Sequence, residues 1–404
     1  MLRYWTAGES HGKGHLAFLD SFPAGVVVDK PLIDNELKRR QSGYGRGDRQ
    51  KIESDEAEVL TGIWLGITTG SPVTLWVKNR DYKIDSMPDL ESPRPGHGDL
   101  AGAIKYHTGI RPILERSSAR GTTAVVAAGA LAKLLLARFD MTVTAYVVGI
   151  GGLSLEPQMR DASGNMVSMP RGATGYSTEE LMRRRNASEF FSLRDDLEDE
   201  AKQLVDRCRE DGNTLGGMIE IRVDGVPFGL GTHAQWDLKL DGRLSQAIMA
   251  MQAVKGVEIG LGFETAGCFG QQVHDPIMFD SKQQGSRSFG FSRTSNNAGG
   301  VEAGMTNSEP IVIRVAKKPI ATLKTALPSV DLNTLTPTTA SYERSDVCAV
   351  PAASVVLEAI VALEMARALT EKFGCDSVDE MKAFYDAFRQ MTVRRFTQKQ
   401  VIHE

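Results

Sequence analysis

Apolar positions follow both the twofold spacing of strands and the wider spacing of helices, so the chain is predicted to contain both. Alternating or short apolar runs predict strands at residues 2–6, 16–19, 26–28, 57–63, 73–77, 143–150, 215–223 and 311–315. Helical spacing predicts helices at residues 31–41, 195–209 and 238–254. Two further helices, following Ser118 and Arg344, are apolar on several sides and are therefore predicted to be buried.

The segment 94–139 combines a polar first half with an apolar helical second half. The polar half carries two histidines, one aspartate and four arginines. Ser117 and Ser118 stand where the helix is predicted to start, and serine is a favoured N-cap. A buried helix start beside arginines is suited to binding an anion. An ordinary core helix with a solvated, capped end is an equally compatible interpretation.

The amino-acid composition limits the classes of protein to which the chain can belong. The 404 residues hold 47 Lys and Arg against 51 Asp and Glu, a net charge of −4. This balance argues against nucleic acid as the main partner, and the absence of an eighteen-residue apolar run argues against a membrane span. The N-terminus lacks a signal-peptide pattern. Four widely separated cysteines show no metal-ligand spacing, so we expect a cytoplasmic protein with reduced thiols and no metal site. Cys268, Cys348 and Cys375 are expected to be buried.

The segment GESHG resembles the nucleophile elbow of serine hydrolases, with Ser10 as the nucleophile. Only one short strand precedes it and no helical pattern follows, which argues against that interpretation. His11 lies between glycines, in a loop that could approach a ligand or could be a simple turn. His15 stands four residues later, but the intervening glycines disfavour a helical metal pair.

The segment KRRQSGYGRGDRQK, residues 38–51, is the most basic patch of the chain. Arginine among glycines is suited to gripping a phosphate or carboxylate with two hydrogen bonds. A solvated charged loop is the alternative. With one interleaved aromatic residue, Tyr44, the patch is a poor match to a nucleic-acid site.

Two later segments give information about how the chain is organised. Residues 267–309 lack long apolar runs yet include Phe289 and Phe291, so we expect a folded lid or a subunit contact. The segment after Arg344 repeats the polar lead and buried helix of segment 94–139. This repetition suggests that the chain consists of two similar halves.

Eight motifs occur in order along the chain, and together they resemble the chorismate synthase family. They are GESHG, GYGRGDR, RPGHGD, RSSAR, VKGVEIG, NNAGG, KPIAT and RSDVCAVPA. The resemblance extends from Gly8 to about Leu369. It implies a single domain, residues 1–404, in which residues 370–404 form a C-terminal tail.

The resemblance implies an anti 1,4-elimination of phosphate from 5-enolpyruvylshikimate 3-phosphate, which yields chorismate. This lyase reaction of the shikimate pathway has no net redox change but requires reduced FMN. The implied fold class is α+β, with two antiparallel sheets in a sandwich with flanking and buried helices. The implied partners are a small anionic substrate and identical subunits in a homotetramer, with neither nucleic acid nor membrane.

The resemblance also implies catalytic residues. His11 corresponds to the histidine that protonates the departing phosphate, and His97 to the one beside N1 of the flavin. Asp346 and Ser10 correspond to the pair that assists proton removal, with N5 of the flavin as the base.

The implied binding residues are more numerous. Substrate-binding positions are Arg40, Arg46, Arg94, Ser118, Arg120 and Arg344. FMN-binding positions are Arg116, Ser117, Ser118, Gln252, Ala253, Ala303, Lys318, Pro319, Ile320, Ala321, Thr322 and Arg344. Arg40 and Arg46 are also assigned to NADPH in family members that reduce their own flavin.

The chain departs from the family pattern at several positions. Gly121 and Val125 replace an acid and an arginine, and Ala303 replaces a common glycine. A relative that binds flavin or anions without turnover therefore remains an alternative, as does a serine hydrolase. Because no G-x-G-x-x-G follows a strand and opens a helix, we expect a separate flavin reductase.

Overall fold

The computed structural model describes residues 1–47, 54–161, 163–343 and 345–397. Its strands are β1 (Arg3–Gly8), β2 (Gly14–Asp20), β3 (Ala57–Thr61), β4 (Ile63–Trp64), β5 (Ile67–Thr68), β6 (Val73–Lys78), β7 (Thr142–Ile150), β8 (Leu153–Ser154), β9 (Gln158–Arg160), β10 (Met166–Ser168), β11 (Gly217–Asp224), β12 (Val254–Ile259), β13 (Ile277–Phe279), β14 (Phe291–Arg293), β15 (Val301–Glu302), β16 (Met305–Thr306), β17 (Ile311–Lys317), β18 (Pro328–Val330) and β19 (Pro337–Thr339). Its α-helices are α1 (Lys30–Gln41), α2 (Asp99–Tyr106), α3 (Ile110–Ser117), α4 (Thr122–Ala137), α5 (Thr178–Ala187), α6 (Glu198–Glu210), α7 (Leu240–Met249), α8 (Gly270–Val273), α9 (Val350–Phe373) and α10 (Val378–Thr397).

A four-stranded antiparallel sheet forms near the N-terminus, in the order β1-β2-β6-β3. In β6 the side chains of Val73, Leu75 and Val77 are buried, whereas the alternate positions are partly exposed. This alternation places one face of the sheet on the core. The predicted pairing of segments 57–63 and 73–77 is confirmed, because β3 lies beside β6.

A five-stranded antiparallel sheet has the order β12-β17-β11-β7-β8. Its strand β12 begins at Val254, the residue at which helical spacing had predicted that a helix would end. That prediction was wrong beyond Met249. Ala253 has a φ of 68°, a left-handed conformation that a continuing helix cannot include.

Helices α4 and α9 pack against each other and connect the two sheets. Helix α4 contacts β2 and β6, whereas α9 contacts β7 and β11. A Cβ atom on Gly129 of α4 would lie 2.3 Å from Cβ of Ala359 in α9, so the glycine permits the close approach of the helices. Both helices belong to one apolar core shared with the sheets. The fold class is α+β, as the sequence resemblance implies.

The helix predicted after Ser118 starts later than expected. Ser117 is the last residue of α3, and Ser118 has extended backbone angles, which interrupt the helix. A short 3-10 turn, Ala119–Gly121, follows, and α4 begins at Thr122. Ser118 caps the turn rather than α4, because its Oγ accepts a 3.3 Å hydrogen bond from the Arg120 N–H.

The helical stretch 110–137, which includes this interruption, is long and apolar enough to cross a membrane by length and composition alone. In its most apolar window, 78% is buried inside the protein. We therefore assign it to the protein core, the environment that the multi-sided apolar pattern predicts.

Three local predictions need correction. Residues 26–28 form an isolated bridge between Val27 and Ile67 rather than a strand, since that segment leads directly into α1. Of the three cysteines expected to be buried, Cys348 is buried, Cys268 is exposed and Cys375 is intermediate. Cys268 follows a surface 3-10 turn, which explains its exposure.

Candidate active site

The GESHG segment is the loop between the antiparallel strands β1 and β2, with no helix after it. Two glycines make the loop sterically feasible. A Cβ atom on Gly14 would lie 2.2 Å from Nε1 of Trp76, and Gly8 has a φ of 117°. Ser10 within this loop is 1% exposed. A buried serine between antiparallel strands lacks the strand-to-helix context of a hydrolase elbow.

His11 is held by Glu115, near the end of α3. Its backbone N–H donates a 2.7 Å hydrogen bond to Oε2 of Glu115, and its Nδ1 lies 2.9 Å from Oε1 of the same carboxylate. Its other ring nitrogen, Nε2, lies 3.8 Å from Oδ2 of Asp81. Burial raises the pKa of Glu115, but hydrogen bonds from His11 outweigh it, so the net shift is downward. Glu115 is therefore an ionised partner of this histidine.

Asn79, which follows β6, fixes the same loop from the opposite side. Its Nδ2 donates to the carbonyl oxygens of Glu9, Ser10 and Gly12 at 3.1, 3.1 and 2.8 Å. Its Oδ1 accepts a 2.9 Å hydrogen bond from Nε of Arg120. One amide thus links the histidine loop to a predicted substrate-binding arginine.

Asp55 connects Arg120 with Arg40. Its carboxylate lies 2.7 Å from NH1 of Arg120 and 3.4 Å from NH1 of Arg40. Arg40 also donates to Oγ1 of Thr122 at 2.8 Å and to the Ala119 carbonyl at 3.0 Å. Burial lowers the pKa of Arg40 to about 9, and Arg120 and Arg46 add to this effect. Two guanidinium groups therefore share one carboxylate.

The predicted basic patch divides in the folded protein. Arg40 belongs to the cluster just described, whereas Arg39 pairs with Glu36 at 2.6 Å and with Glu358 at 3.3 Å. The patch residues Asp48, Arg49 and Lys51 lie outside the described residues. The interpretation as one solvated charged loop is therefore wrong for the two arginines, because both are buried.

The RPGHGD segment forms a second charged cluster around Asp99, the first residue of α2. Its carboxylate accepts hydrogen bonds from Nε and NH2 of Arg94 at 2.8 and 3.0 Å. It also lies 2.5 Å from Nδ1 of His97. Burial raises the pKa of Asp99, but hydrogen bonds from His97 and Arg94 hold it well below its usual range. NH1 of Arg94 donates to Oγ1 of Thr322 at 2.9 Å.

The KPIAT segment connects that cluster to the second sheet. Nζ of Lys318 lies 2.5 Å from the carbonyl oxygen of Gly96, beside His97. The Lys318 N–H donates to the Ala253 carbonyl at 2.9 Å, which places Gln252 and Ala253 next to this segment. Burial lowers the pKa of Lys318, and the positive charge of Lys255 lowers it further.

The remaining residues of the KPIAT segment are also held by contacts with neighbouring residues. The carbonyl of Ile320 accepts a 2.7 Å hydrogen bond from Thr214, and Pro319 packs closely on Gly216. Ala321 lies near Gly96, because its Cβ atom would be in van der Waals contact with a Cβ atom added to that glycine. The segment is thus held at both ends and along its length.

Asp346 is bound by the glycine-rich segment that follows α1. Its Oδ2 accepts a 2.6 Å hydrogen bond from NH1 of Arg46, and its Oδ1 accepts a 2.7 Å bond from the Gly47 N–H. Ser10, its expected companion, instead accepts a 3.2 Å hydrogen bond from Oγ of Ser118. Arg344 lies outside the described residues.

Arg116 and Ser117 end α3 beside the histidine loop. NH2 of Arg116 donates to the Thr6 carbonyl at 2.8 Å, and NH1 donates to the Gly8 carbonyl at 3.3 Å. Oγ of Ser117 donates to the Ile113 carbonyl at 2.7 Å. A Cβ atom on Gly121 would be 3.7 Å from NH1 of Arg116. This position therefore has room for the acidic side chain that the family pattern places there.

Ala303 is separated from the other predicted FMN-binding residues. It lies in the two-residue turn between β15 and β16, and Gly304 of that turn accepts a hydrogen bond from Leu240, at the start of α7. Gln252 and Ala253 follow the opposite end of α7, a helix about 15 Å long. Ala303 has a φ of 49°, which explains why glycine is common there.

Four residues that lie beside the predicted ones were not predicted, namely Glu115, Asp55, Asn79 and Asp81. Glu115 directly precedes the RSSAR motif, and Asn79 and Asp81 follow the predicted strand 73–77. The available signal was the clustering of arginines, since buried cations require nearby acceptors. Which acids and amides supply them depends on the tertiary fold.

Comparison with known proteins agrees with this geometry. The family model described as chorismate synthase matches residues 2–370. Chorismate synthase of Geobacter sulfurreducens is 48% identical over 411 residues, covering 98% of this chain and 100% of the relative. That of Pelobacter propionicus is 49% identical over 402 residues, covering 96% and 98%. A crystal structure of chorismate synthase has a TM-score of 0.75 at 38% identity, covering 96% of this chain and 98% of its own. The chain therefore belongs to the chorismate synthase family.

Proposed function

We propose that the histidine loop, the RPGHGD segment, the KPIAT segment and the Arg46–Asp346 pair form one active site. This site carries out the reaction of the chorismate synthase family, the anti 1,4-elimination of phosphate from 5-enolpyruvylshikimate 3-phosphate. The family is a group of carbon–oxygen lyases in the shikimate pathway and uses reduced FMN.

The observation that carries this proposal is the continuity of contacts among the predicted residues. The loop that carries His11 is linked through Asn79 and Asp55 to Arg120 and Arg40. Arg46 and Asp346 are close enough to Arg40 to influence its pKa. From there, Ser345 donates to the Thr322 carbonyl at 3.4 Å, and Thr322 leads to Arg94 and His97.

The charge of the cluster suits the substrate, which carries one phosphate and two carboxylates. Arg40 and Arg120 share Asp55, while Arg94 is bound to Asp99. Guanidinium groups bind phosphate and carboxylate with directional, charge-assisted hydrogen bonds. We assign Arg40, Arg46, Arg94, Arg120 and Ser118 to the substrate. Arg40 acts by positioning the other groups, because its guanidinium group donates to Thr122 and to the Ala119 carbonyl.

The residues around the KPIAT segment fit FMN. In the described part of the chain, the ammonium of Lys318 bonds only to a backbone oxygen and lies near a second cation, Lys255. Two lysines without an acid between them are suited to binding a phosphate group. Gln252, Ala253 and the residues 318–322 would hold the flavin, together with Arg116 and Ser117. Reduced FMN, when bound, supplies the electron-rich ring system that the elimination requires.

The two histidines are proposed to have separate tasks. His11 presents Nε2 as the ring nitrogen that protonates the departing phosphate, since Nδ1 is bound to Glu115. His97 is fixed by Asp99 through Nδ1 and stands beside the KPIAT segment, as expected for a residue at the flavin. Asp346 and Ser10 are proposed to assist proton removal.

Several wider expectations belong to the same proposal. The packing of α4 and α9 between two antiparallel sheets supports a two-sheet sandwich, and the shared core supports a single domain. Each half then contributes one sheet and one long apolar helix. We propose a cytoplasmic homotetramer supplied with reduced FMN by a separate reductase, with NADPH as the ultimate electron donor.

An anaerobic assay of phosphate release tests the proposal. Wild-type protein should release phosphate from 5-enolpyruvylshikimate 3-phosphate with reduced FMN and stop without it. His11→Ala should still bind substrate and flavin but lose turnover by about 10²–10⁴-fold, the usual contribution of a general acid. Near wild-type turnover in that variant would remove His11 from the mechanism.

A serine hydrolase and an inactive binding relative are the competing functions. The buried position of Ser10 between antiparallel strands argues against the hydrolase. Labelling of Ser10 by a fluorophosphonate would support it. Flavin binding without phosphate release would support the inactive relative.

A further inference from the structure

We propose that Glu115 is a positioning residue that holds His11 with Nε2 toward the substrate and keeps its imidazole ready to donate a proton. This inference rests on the proposed role of His11. It concerns a residue for which neither the motifs nor the comparisons indicate a role.

Glu115 binds the histidine loop at three points. Its carbonyl oxygen accepts a 2.9 Å hydrogen bond from the Ser10 N–H. Its carboxylate accepts a 2.7 Å bond from the His11 N–H and lies 2.9 Å from Nδ1 of the ring. The backbone and the ring of His11 are therefore fixed by one side chain, which leaves the imidazole little freedom to rotate.

Glu115 is fully buried, and its surroundings keep it ionised. Its side chain has no exposed surface. A buried carboxylate is costly unless it is paired and hydrogen-bonded. Hydrogen bonds from His11 and the charge of Arg111, whose NH1 lies 3.7 Å away, lower the pKa of Glu115 despite burial.

Within the described residues, the charged groups facing His11 come from two elements. Helix α3 supplies Glu115 and, behind it, Arg111. The loop after β6 supplies Asp81, whose Oδ2 lies 3.8 Å from Nε2, and Lys83, which pairs with Asp81 at 3.0 Å. A separation of 3.8 Å is too long for a hydrogen bond. Nε2 is thus not hydrogen-bonded to this acid, whereas Nδ1 is engaged by Glu115.

This arrangement defines the proton transfer. The ring starts as an imidazolium with a proton on each nitrogen. As the carbon–oxygen bond of the substrate breaks, its electron pair stays on the phosphate oxygen, which takes the Nε2 proton. The ring is left neutral, with its remaining proton on Nδ1 in the hydrogen bond to Glu115.

A double-mutant cycle tests the inference in the intact protein with reduced FMN, under anaerobic conditions. Glu115→Gln keeps the shape but removes the charge, and His11→Asn removes the acid. We expect E115Q to lower kcat by roughly 10²-fold with little change in KM, because a transition-state interaction is weakened. The double variant should be no slower than H11N, since both changes act on one proton transfer.

The division between kcat and KM supplies a readout that a purely structural role would not produce. In E115Q the kcat should fall while KM stays close to the wild-type value. Glu220→Gln is the matched control, because Glu220 is equally buried but binds Tyr146 and Arg314 away from His11. Its kcat and KM should both match the wild type. Glu115→Asp keeps the charge with a shorter side chain and should recover part of the lost kcat.

The outcomes separate the inference from the proposed function. Additive losses in the cycle, or an unchanged kcat in E115Q, would overturn the positioning role and leave that of His11 intact. A wild-type rate in H11N would overturn the role of His11 itself. If E115Q does not fold, ¹⁵N chemical shifts of labelled histidine in the wild type report which ring nitrogen of His11 carries the proton in the neutral ring. A neutral ring with its proton on Nε2 would overturn the inference.

Discussion

Arg46 donates a 2.6 Å hydrogen bond to the carboxylate of Asp346, which lies 300 residues further along the chain. Their side chains are 11% and 15% exposed, so the pair is largely shielded from water. Each residue comes from a motif that the sequence resemblance assigns to the active site. Their contact brings the segment after α1 to the start of α9.

The first prediction concerns this pair. Arg46→Ala should weaken substrate binding roughly tenfold or more, because a charge-assisted hydrogen bond contributes about 1.5–3 kcal/mol. Arg46→Lys should restore only part of the affinity, since an ammonium lacks the guanidinium fork. Anaerobic isothermal titration calorimetry with the substrate measures both effects.

Arg194→Ala is the matched control for that measurement. Arg194 is also largely buried, at 15% exposure, and pairs with Asp196 at 2.7 Å outside the proposed site. Its removal should leave substrate affinity unchanged. Equal affinities of wild type and Arg46→Ala would contradict the assignment of Arg46 to the substrate.

The second prediction is a pH dependence of stability that originates at Asp99. Hydrogen bonds from His97 and Arg94 hold the folded pKa of Asp99 below its usual range, against the effect of burial. A lowered folded pKa stabilises the protein above the unfolded pKa of about 3.9. This contribution is lost as pH falls from there through the folded pKa. The free energy of unfolding should therefore decrease in acid.

Asp99→Asn should remove that dependence in part. At neutral pH the variant should lose about 3–5 kcal/mol of unfolding free energy, the usual cost of breaking a buried ion pair. Its stability should then fall less steeply between about pH 5 and pH 2. Urea unfolding across this range measures both quantities. Parallel curves for variant and wild type would show that Asp99 is not the source.

The third prediction separates stability from catalysis. Glu358 in α9 binds Arg185 at 2.7 Å, and it also contacts Arg39 and Lys133. Burial raises the pKa of Glu358, but these cations lower it well below its usual range. Glu358→Gln should reduce the free energy of unfolding by about 3–5 kcal/mol, because two buried arginines and a half-buried lysine lose their shared acid. The kcat of the folded fraction should be unchanged.

Glu371→Gln provides the control on the same helix. Glu371 pairs with Arg243 but is 23% exposed. A partly exposed pair contributes about 0–1 kcal/mol. Chemical denaturation distinguishes the two variants, and a loss below about 1 kcal/mol for Glu358→Gln would contradict the buried-network interpretation.

The fourth prediction is that NADPH does not reduce bound FMN efficiently without a separate enzyme. No dinucleotide fingerprint follows a strand in the 404 residues. Arg40, one of two arginines assigned to NADPH in self-reducing relatives, is buried and donates to Thr122 and Ala119. It is therefore poorly placed to bind an added nucleotide.

Anaerobic stopped-flow absorbance of the flavin band after mixing with NADPH measures that reduction. Dithionite-reduced FMN is the positive control and should support turnover. Bleaching by NADPH at a rate comparable to turnover would demonstrate a bifunctional enzyme.

Much of the local structure was predictable from the sequence. The spacing of apolar residues predicted α1, β6 and β17 nearly to their observed bounds, because that spacing reflects which side of an element is buried. The motifs predicted the family, because eight short segments in a fixed order are specific in combination. Both kinds of information are local and can be read without knowing which segments meet.

Element boundaries were less predictable where the backbone angles of one residue decide them. Ser118 has an extended backbone that divides α3 from the turn before α4, and Ala253 has a positive φ after α7. The pattern therefore placed the start of α4 near Ser118, before its observed start at Thr122, and continued the helix of α7 past Met249.

By itself the sequence determined the family, the motif loops and the chemical types of the site residues. Only the tertiary structure decided that Glu115 binds His11, that Asp55 joins Arg40 to Arg120, and that Ala303 stands apart. The physical reason is that a buried charge takes its partner from whatever residue the packing of distant elements brings near. Apolar spacing records that a side chain is buried, but it does not record which side chain it meets.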